Sequence, residues 1–548
     1  MQGEAAGSEP YQKTSRDLVH VLDHRAMQWY TAMTTLWKAH MTTSGRYMKR
    51  VRATLVPTLT VDRRAPTPIY RQLYDGFREA IIDGRLRPGQ RVPSTRTLAL
   101  ELDISRIPVV NAYEQLRTEG YLDAAVGSGT RVARAIVDES SSSSTAIRSR
   151  RLSRGTKALT PRALSRRAKE LLRLGVPQPW LPRQGAFRMN LPALDQFPCD
   201  VWGKLVSRHA RAMPRSLMAY GDAMGYLPLR EAIAAYLGTV RAVRCDPSQV
   251  AITTGSQQGL QLSAQLVLDE NEEICVEEPG YPGARLAFAA AGARVTPIPV
   301  DEDGLSVEEL ARRAPRARAV YITPSHQYPL GMVMSAGRRL RLLNWAATSG
   351  AWIIEDDYDS EYRFGSYPIG CLQGMDGDSR VIYVGTFSKV MFPALRLGYV
   401  VVPQDLVAAF AAVLDAAGIF ASPLYQTVLT EFMQEGHLAR HIRRMRMLYM
   451  ERRKTLVAAL RAQFDDALDI LGAEAGMHVV ARFPAGIEDV AVSRHAAAQG
   501  IAALPLSTCY VSPPDRGGVV LGYGGANLHQ IRDGARRLKA SLAPAELS

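Results

Sequence analysis

Apolar residues recur at helical spacing in PIYRQLYDGFREAIIDGRL, where Ile69, Leu73, Phe77 and Ile81 fall on one face. Gly84 stops that helix, and RPGQRVPS makes a turn. Ser94 caps a short second helix, TRTLALEL, and DIS turns the chain again. Ser105 caps a third, RIPVVNAYEQLRTEG, with Pro108 tolerated in its first turn. YLDAAVGSGTRVA reads as two short strands joined by a glycine-rich tip. Beyond residue 186 the period changes. The strand-like runs QVAITTG, EEICVEE, RAVYITP, AWIIEDD, RVIYVGTF and GYVVVP alternate with helical stretches.

A chain of 548 residues exceeds one hydrophobic core, and these patterns divide it. Residues 1–60 show no clear period and are expected to be a poorly ordered extension. Within them DLVHVLDHRAMQWYTAMTTLWKAHM is a short helix candidate without a convincing cap, and Met41 and Met48 are candidate translation starts. Three helices and a hairpin over residues 61–135 predict a winged helix-turn-helix. Residues 136–185 are serine-rich and then arginine-rich, a composition that seldom buries enough apolar area to fold alone; a linker is expected. Residues 186–548 predict an α/β domain on a mainly parallel sheet, with ligands at the strand ends.

Charge sharpens the division. Up to residue 185 there are 31 Lys and Arg against 16 Asp and Glu; beyond it there are 36 against 37. The whole net charge of +14 therefore comes from the first third, which suggests a polyanionic partner for that part. The five cysteines, Cys199, Cys245, Cys275, Cys371 and Cys509, are scattered with no CxxC or Cys/His cluster, so reduced thiols and no metal site are expected. No apolar run is long enough to span a bilayer and no secretory signal opens the chain; no membrane partner and a cytoplasmic location are expected.

In a helix-turn-helix the second helix of the motif presents its first residues to base edges in the major groove of double-stranded DNA. The residues expected to face an operator are Ser94 and Arg96 before and in the second helix, Ser105, Arg106 and Ile107 at the start of the third, and Thr130 and Arg131 at the tip.

In the α/β part the stretch GTFSKVMFPALRLGYV holds one lysine, Lys389, with Arg396 seven positions later. A lysine's most demanding use is a Schiff base to a carbonyl, as with pyridoxal 5'-phosphate. That cofactor needs a lysine, a carboxylate at its pyridine nitrogen, a phosphate cradle and an aromatic face. Candidates stand at the ends of four expected strands. Asp356 in EDDYDSEY would meet the nitrogen and Tyr358 the 3-hydroxyl. Ser256 and Gln257 in TTGSQQGLQL would offer backbone N–H groups at a helix N-terminus. Thr386, Ser388 and Arg396 would complete the cradle, and Tyr281 in EEPGYPGAR would stack on the ring.

Two resemblances follow from these residues. The stretch from Pro68 to Ala133 resembles the DNA-binding domain of GntR-type bacterial regulators, which implies base contacts by Arg96 and Arg106; Ile107 and Pro108 replace the small polar residue usual after the second arginine. Residues from about 190 to 540 resemble fold-type I pyridoxal-phosphate enzymes of the α-aminoadipate and kynurenine aminotransferase group, through YGDAMGYLPLREAIAAYL, TTGSQQGLQL, EEPGYPGAR, TPSHQYPLG, EDDYDSEY and GTFSKVMFPALRLGY. That likeness implies a PLP-dependent transferase fold with a smaller C-terminal α+β subdomain. It makes Lys389 the Schiff-base residue and assigns Asp356, Tyr358, Tyr281, Ser256, Gln257, Thr386, Ser388 and Arg396 the roles given above. It also brings Tyr220 to the phosphate of a neighbouring subunit. The fusion resembles the MocR subfamily of regulators, which implies a domain-swapped homodimer.

Two departures bear on activity. QYPLG stands where aminotransferases carry NPTG, placing Tyr328 at the asparagine that helps hold the ring hydroxyl, with His326 or Gln327 as substitutes. Near the C-terminus GVVLGYGGANLHQI places Val520 where an arginine clamps the substrate carboxylate, with Arg516 off register. A regulator that senses pyridoxal phosphate and controls vitamin B6 synthesis, as PdxR-type members do, is the favoured expectation. The alternatives are a sensor of an amino compound, an active aminotransferase with a DNA-binding accessory, and a dimerisation scaffold.

Overall fold

The computed structural model describes residues 59–125, 129–134, 163–175, 178, 180–182, 185–364, 369–465, 467–472 and 474–542. The helix candidate and alternative starts before residue 59, the tip at 126–128 and most of the expected linker lie outside them. The chain divides into two compact units, Met1–Pro161 and Arg162–Ser548.

The first unit holds helices α1 (Ile69–Ile82), α2 (Thr95–Glu101) and α3 (Arg106–Thr118) and the antiparallel strands β1 (Leu122–Ala125) and β2 (Gly129–Val132). Leu73, Phe77 and Ile81 on α1 are buried against α3, where the Phe77 and Tyr113 rings meet edge to face at 5.3 Å. Gly84 follows α1 at φ +73, a conformation that costs glycine little. Ser94 Oγ accepts from the Thr97 N–H at 3.1 Å, as expected of a cap. Ser105 occupies the N-cap position of α3 but its side chain makes no capping bond. The reason is in the sequence: Pro108 is the third helical residue and lacks the N–H such a hydroxyl would bind. The wing gains a third strip, because Gly89 donates to the Val132 carbonyl, Val132 to Gln90 and Val92 to Thr130.

The second unit is built on an eight-stranded sheet in the order β3-β10-β9-β8-β7-β4-β5-β6. The strands are β3 (Val250–Thr253), β4 (Glu273–Glu278), β5 (Arg294–Asp301), β6 (Gly304–Leu305), β7 (Ala319–Ile322), β8 (Trp352–Asp357), β9 (Val381–Thr386) and β10 (Gly398–Val401). The run β5-β4-β7-β8-β9 is parallel, and β10 enters antiparallel between β9 and β3. The central strands are buried on both faces, which is why they read as continuous apolar runs. A second sheet of β11 (Asp469–Leu471), β12 (His478–Arg482), β13 (Leu504–Pro505) and β14 (Gly518–Gly522), in the order β11-β12-β14-β13, forms the smaller C-terminal subdomain. The long helix His437–Phe464 and the helix Leu528–Leu542 pack against each other beside it.

Within the stretch read as a linker, Arg166–Leu174 is helical. Ser165 caps it, with Oγ accepting from the Ala168 N–H at 3.1 Å, and it packs on the helix Pro282–Ala291. Its few apolar residues suffice because the body supplies the opposing surface.

Candidate functional site

A cavity of about 220 Å³ opens at the C-terminal ends of the parallel strands, lined by Asn190, Gly255, Ser256, Gln257, Tyr281, Tyr321, Tyr328, Asp356, Tyr358, Thr386, Ser388, Lys389, Pro393 and Arg396. Nine of the ten residues expected at a cofactor site are thereby brought together from the ends of β3, β4, β8 and β9 and the segments that follow them. The tenth, Tyr220, lies outside the cavity with its side chain fully in solvent.

The acidic run at the end of β8 shows how alternation sorts three carboxylates. Glu355 accepts the backbone N–H groups of Leu372 and Gln373, each at 2.8 Å. Asp357 takes the buried Arg241 guanidinium at 2.7 Å and the Tyr383 hydroxyl at 2.5 Å. Asp356 faces the other way, into the cavity. One of its oxygens accepts from Tyr321 at 2.9 Å; the other, Oδ1, is buried without a partner among the described residues. Burial pushes the Asp356 carboxyl up to about 7, against the pull of the Tyr321 hydroxyl.

Lys389 follows β9 in a turn held by Thr386, whose Oγ1 accepts the Ser388 N–H at 3.1 Å. Its Nζ donates to Asn190 Oδ1 at 2.8 Å. Burial lowers the ammonium to about 8, although Asp359 and Asp356 pull it upward. Arg396 ends a short 3₁₀ turn, Pro393–Leu395, in the left-handed region at φ +53, a conformation that costs a non-glycine residue about 1 kcal/mol or more. Gly255, at φ +114, a conformation that L side chains rarely adopt, precedes the helix Ser256–Val267; its Cβ position lies 3.6 Å from the Arg396 guanidinium, within van der Waals contact. The first N–H groups of that helix have no side-chain cap and meet Arg396 across the opening, a cationic cradle suited to a dianion. Tyr281 crosses Tyr328 edge to face at 5.4 Å, and burial pushes its hydroxyl up to about 12.

The two expected substitutes for the NPTG asparagine are both committed elsewhere. Gln327 donates to the Pro279 and Tyr328 carbonyls at 2.8 and 2.7 Å and accepts from the Leu330 N–H, which folds its own loop. His326 is absent from the cavity lining, its Nδ1 lying 3.0 Å from Tyr358 Oη and 2.9 Å from Asp359 Oδ1. Val520 is fully buried among Val480 and Leu506, and Arg516 is bound to Asp469 and the Phe483 carbonyl at 2.8 Å each; neither lines the cavity. Asn190, Gly255, Tyr321 and Pro393 were not foreseen. Tyr321 had a signal: it pairs with Ile354 across β7 and β8, two residues from Asp356 and so on the same face.

On the head, Arg96, Ser105, Arg106 and Ile107 are all exposed around the junction of α2 and α3, and Ile107, 70% exposed, is an apolar side chain left in water. Arg106 Nε donates to Thr95 Oγ1 at 3.1 Å, which aims the guanidinium along the start of α2. Thr130 is half-buried on β2, while Arg131 is exposed and donates to the Gly89 carbonyl at 3.1 Å. Tyr113 on α3 fastens the preceding turn by donating to the Pro93 carbonyl at 3.0 Å. Among the described residues no helix is long and apolar enough to cross a membrane.

Comparison with known proteins defines the class first. Residues 69–132 match the bacterial regulatory proteins of the gntR family, and residues 187–524 match aminotransferase class I and II. The α-aminoadipate aminotransferase LysN of Thermus thermophilus, crystallised with N-(5'-phosphopyridoxyl)-L-leucine, superimposes with a TM-score of 0.62 at 28% identity, covering 70% of this chain and 96% of that one. A probable rhizopine catabolism regulatory protein, MocR, of Rhizobium meliloti is 40% identical over 89% of this chain and 97% of its own. The pyridoxine biosynthesis regulator PdxR of Corynebacterium glutamicum is 33% identical over 72% of this chain and 79% of its own. The chain belongs to the MocR subfamily of GntR-type transcriptional regulators, with a DNA-binding winged head and an aminotransferase-like body.

Proposed function

We propose that the body holds pyridoxal 5'-phosphate and that its occupancy is the signal the head reports at an operator. The observation that carries this is the unpartnered buried oxygen of Asp356, a residue that lines the cavity with the others that converge on it. A protonated pyridine nitrogen is the donor that oxygen lacks. Lys389 would hold the aldehyde carbon and Tyr358 the ring oxygen, while Tyr281 covers a ring face. Ser256, Gln257, Thr386, Ser388 and Arg396 would hold the phosphate. When bound, the cofactor supplies an electron sink for an amine attached at its aldehyde carbon. Asn190 steadies the lysine amine, and the 2.8 Å contact fixes its approach.

Tyr220 would complete the phosphate site of a second copy. Its full exposure, beside the exposed Met218, supports that role, and Ile419, Phe420 and Tyr425 extend the exposed apolar residues of this unit. A domain-swapped homodimer is the arrangement we propose. The body's chemistry supports sensing over turnover, because neither Val520 nor Arg516 offers a carboxylate clamp at the cavity. Control of vitamin B6 supply is the favoured output. The greater likeness to a rhizopine catabolism regulator favours a second reading, in which an amino compound reacting at the bound cofactor is the signal.

Operator binding with and without pyridoxal phosphate tests the proposal, alongside the visible absorbance of the loaded chain. The band should vanish in Lys389→Ala. Affinity, footprint and transcription all indifferent to the cofactor would remove it as the signal and leave the amino-compound reading; a panel of amines and amino acids then decides by their effect on the band.

A further inference from the structure

We infer that His326 is a positioning residue for the cofactor site: held by Asp359, its imidazole fixes the Tyr358 oxygen so that the phenolic proton points into the cavity. This rests on the reading that the cavity holds pyridoxal phosphate. The side chains of His326 and Asp359 are almost wholly buried, at 2% and 1% exposed. Nδ1 of His326 lies 2.9 Å from Asp359 Oδ1 and 3.0 Å from Tyr358 Oη. A carboxylate accepts and cannot donate, so the proton on Nδ1 serves Asp359. The phenol oxygen, at nearly the same distance, shares that proton as a second acceptor. Its own O–H is then free of the imidazole. Tyr358 lines the cavity, where a ring oxygen is the partner this hydroxyl would find.

The ring is closely packed by two glycines that do not line the cavity. Gly476, at φ +76, presses on it so closely that an added Cβ would lie 2.2 Å from Cε1, and a Cβ on Gly331 would lie 3.2 Å from Nε2. Gly476 is itself fastened, its N–H to the Tyr362 carbonyl and its carbonyl to the Tyr523 hydroxyl, each at 2.7 Å. Nε2 is buried without a partner among the described residues, so the Nδ1 contacts with Asp359 and Tyr358, together with packing, set the ring's orientation. The other titratable groups around it are few. His478, with its ring 5.4 Å away, is held near 4 by burial and by His326, and is neutral. Lys389 and Asp356 stand on the cavity side, and Asp359 is the charge that acts most strongly on Lys389. With Tyr328 in place of the usual asparagine and Gln327 tied into its loop, Tyr358 is left as the side chain for the ring oxygen, and its orientation depends on His326.

The experiment loads the full-length chain, His326→Phe, His326→Asn and Gly476→Ala with pyridoxal phosphate, then follows the visible band from pH 5 to 9 and the cofactor dissociation constant. A weaker donor to the ring oxygen raises the pH midpoint of the band. The Phe variant should shift it up by about one unit, a tenfold change. The Asn variant, whose amide N–H can stand for Nδ1–H, should recover at least half of that. Gly476→Ala, whose Cβ would crowd both members of the His326–Asp359 pair, should shift it in the same direction. Weakened binding with an unmoved midpoint would mean a merely structural residue and overturns the inference. If His326→Phe does not fold, the Asn and Gly476→Ala midpoints decide. Absence of any band in the unsubstituted chain overturns the cofactor reading, and this inference with it.

Discussion

At the scale of single residues, the site sets two groups against their ordinary chemistry. Lys389 is lowered to about 8, so about half of it is free amine at pH 8, where a solvent-exposed lysine is almost wholly protonated. Borohydride trapping of pyridoxal phosphate should label this lysine selectively, with yield rising through pH 8 instead of 10.5; peptide mass mapping locates the label, and Lys389→Ala abolishes it. Asp356 is raised from 3.8 to about 7 by burial. Its folded value lies above its unfolded one, so the stability linked to it is present below pH 4 and lost as pH rises through 7. Asp356→Asn should therefore raise the melting temperature of the cofactor-free chain at pH 8, while weakening cofactor binding at least tenfold, about 1.4 kcal/mol; thermal unfolding and a binding titration read the two effects. The sequence was informative here where chemistry is local. Strand alternation singles out Asp356 from Glu355 and Asp357. Asn190 escaped because its link to Lys389 joins residues 199 positions apart, with no local signal.

Elements were legible where their pattern was regular. All six strand-like runs became strands of the large sheet, and all three head helices formed. β5 was missed because Pro297 and Pro299 argue against a strand. It survives because beyond β4 it pairs only with the two-residue β6, leaving most of its outer edge without a partner strand that needs N–H donors. The small sheet was hidden by strands of two to five residues scattered between 469 and 522. In the head, Ser94→Ala should cost about 1 kcal/mol of stability by removing a cap that Ser105 does not duplicate. The same change at Ser105 should cost little; urea unfolding of both variants compares them. Arg106→Ala should weaken operator binding by about 1–3 kcal/mol and relax preference at one base pair, whereas Arg131→Ala should lower affinity evenly across sequences. Binding to an operator library separates these outcomes.

For the whole molecule, the charge division predicts where salt acts. The body is nearly neutral overall, so operator affinity should fall steeply with salt while cofactor affinity changes far less. Subunit mixing tests the pairing of bodies. Tyr220→Phe should weaken cofactor binding about tenfold in its own homodimer. Mixing it with Lys389→Ala chains should yield hybrid dimers with one intact site, detected as regained visible absorbance in purified heterodimers. Tyr220 lies outside its own chain's cavity; its assignment to a neighbouring copy comes from the family resemblance, because pattern alone carries no mark of which copy a loop serves.

The antiparallel strand β10 has a consequence in time. It is made after the lysine strand, yet it pairs with β3, more than 140 residues earlier in the chain. The phosphate cradle, which needs Gly255 and Arg396 side by side, cannot close until residue 401 has left the ribosome. At about 5–20 residues per second, the head is complete on the order of ten seconds or more before the body can bind anything. The head is thus made before the proposed cofactor site can close, and a chain truncated before Gly398 should keep operator binding while losing pyridoxal-phosphate binding.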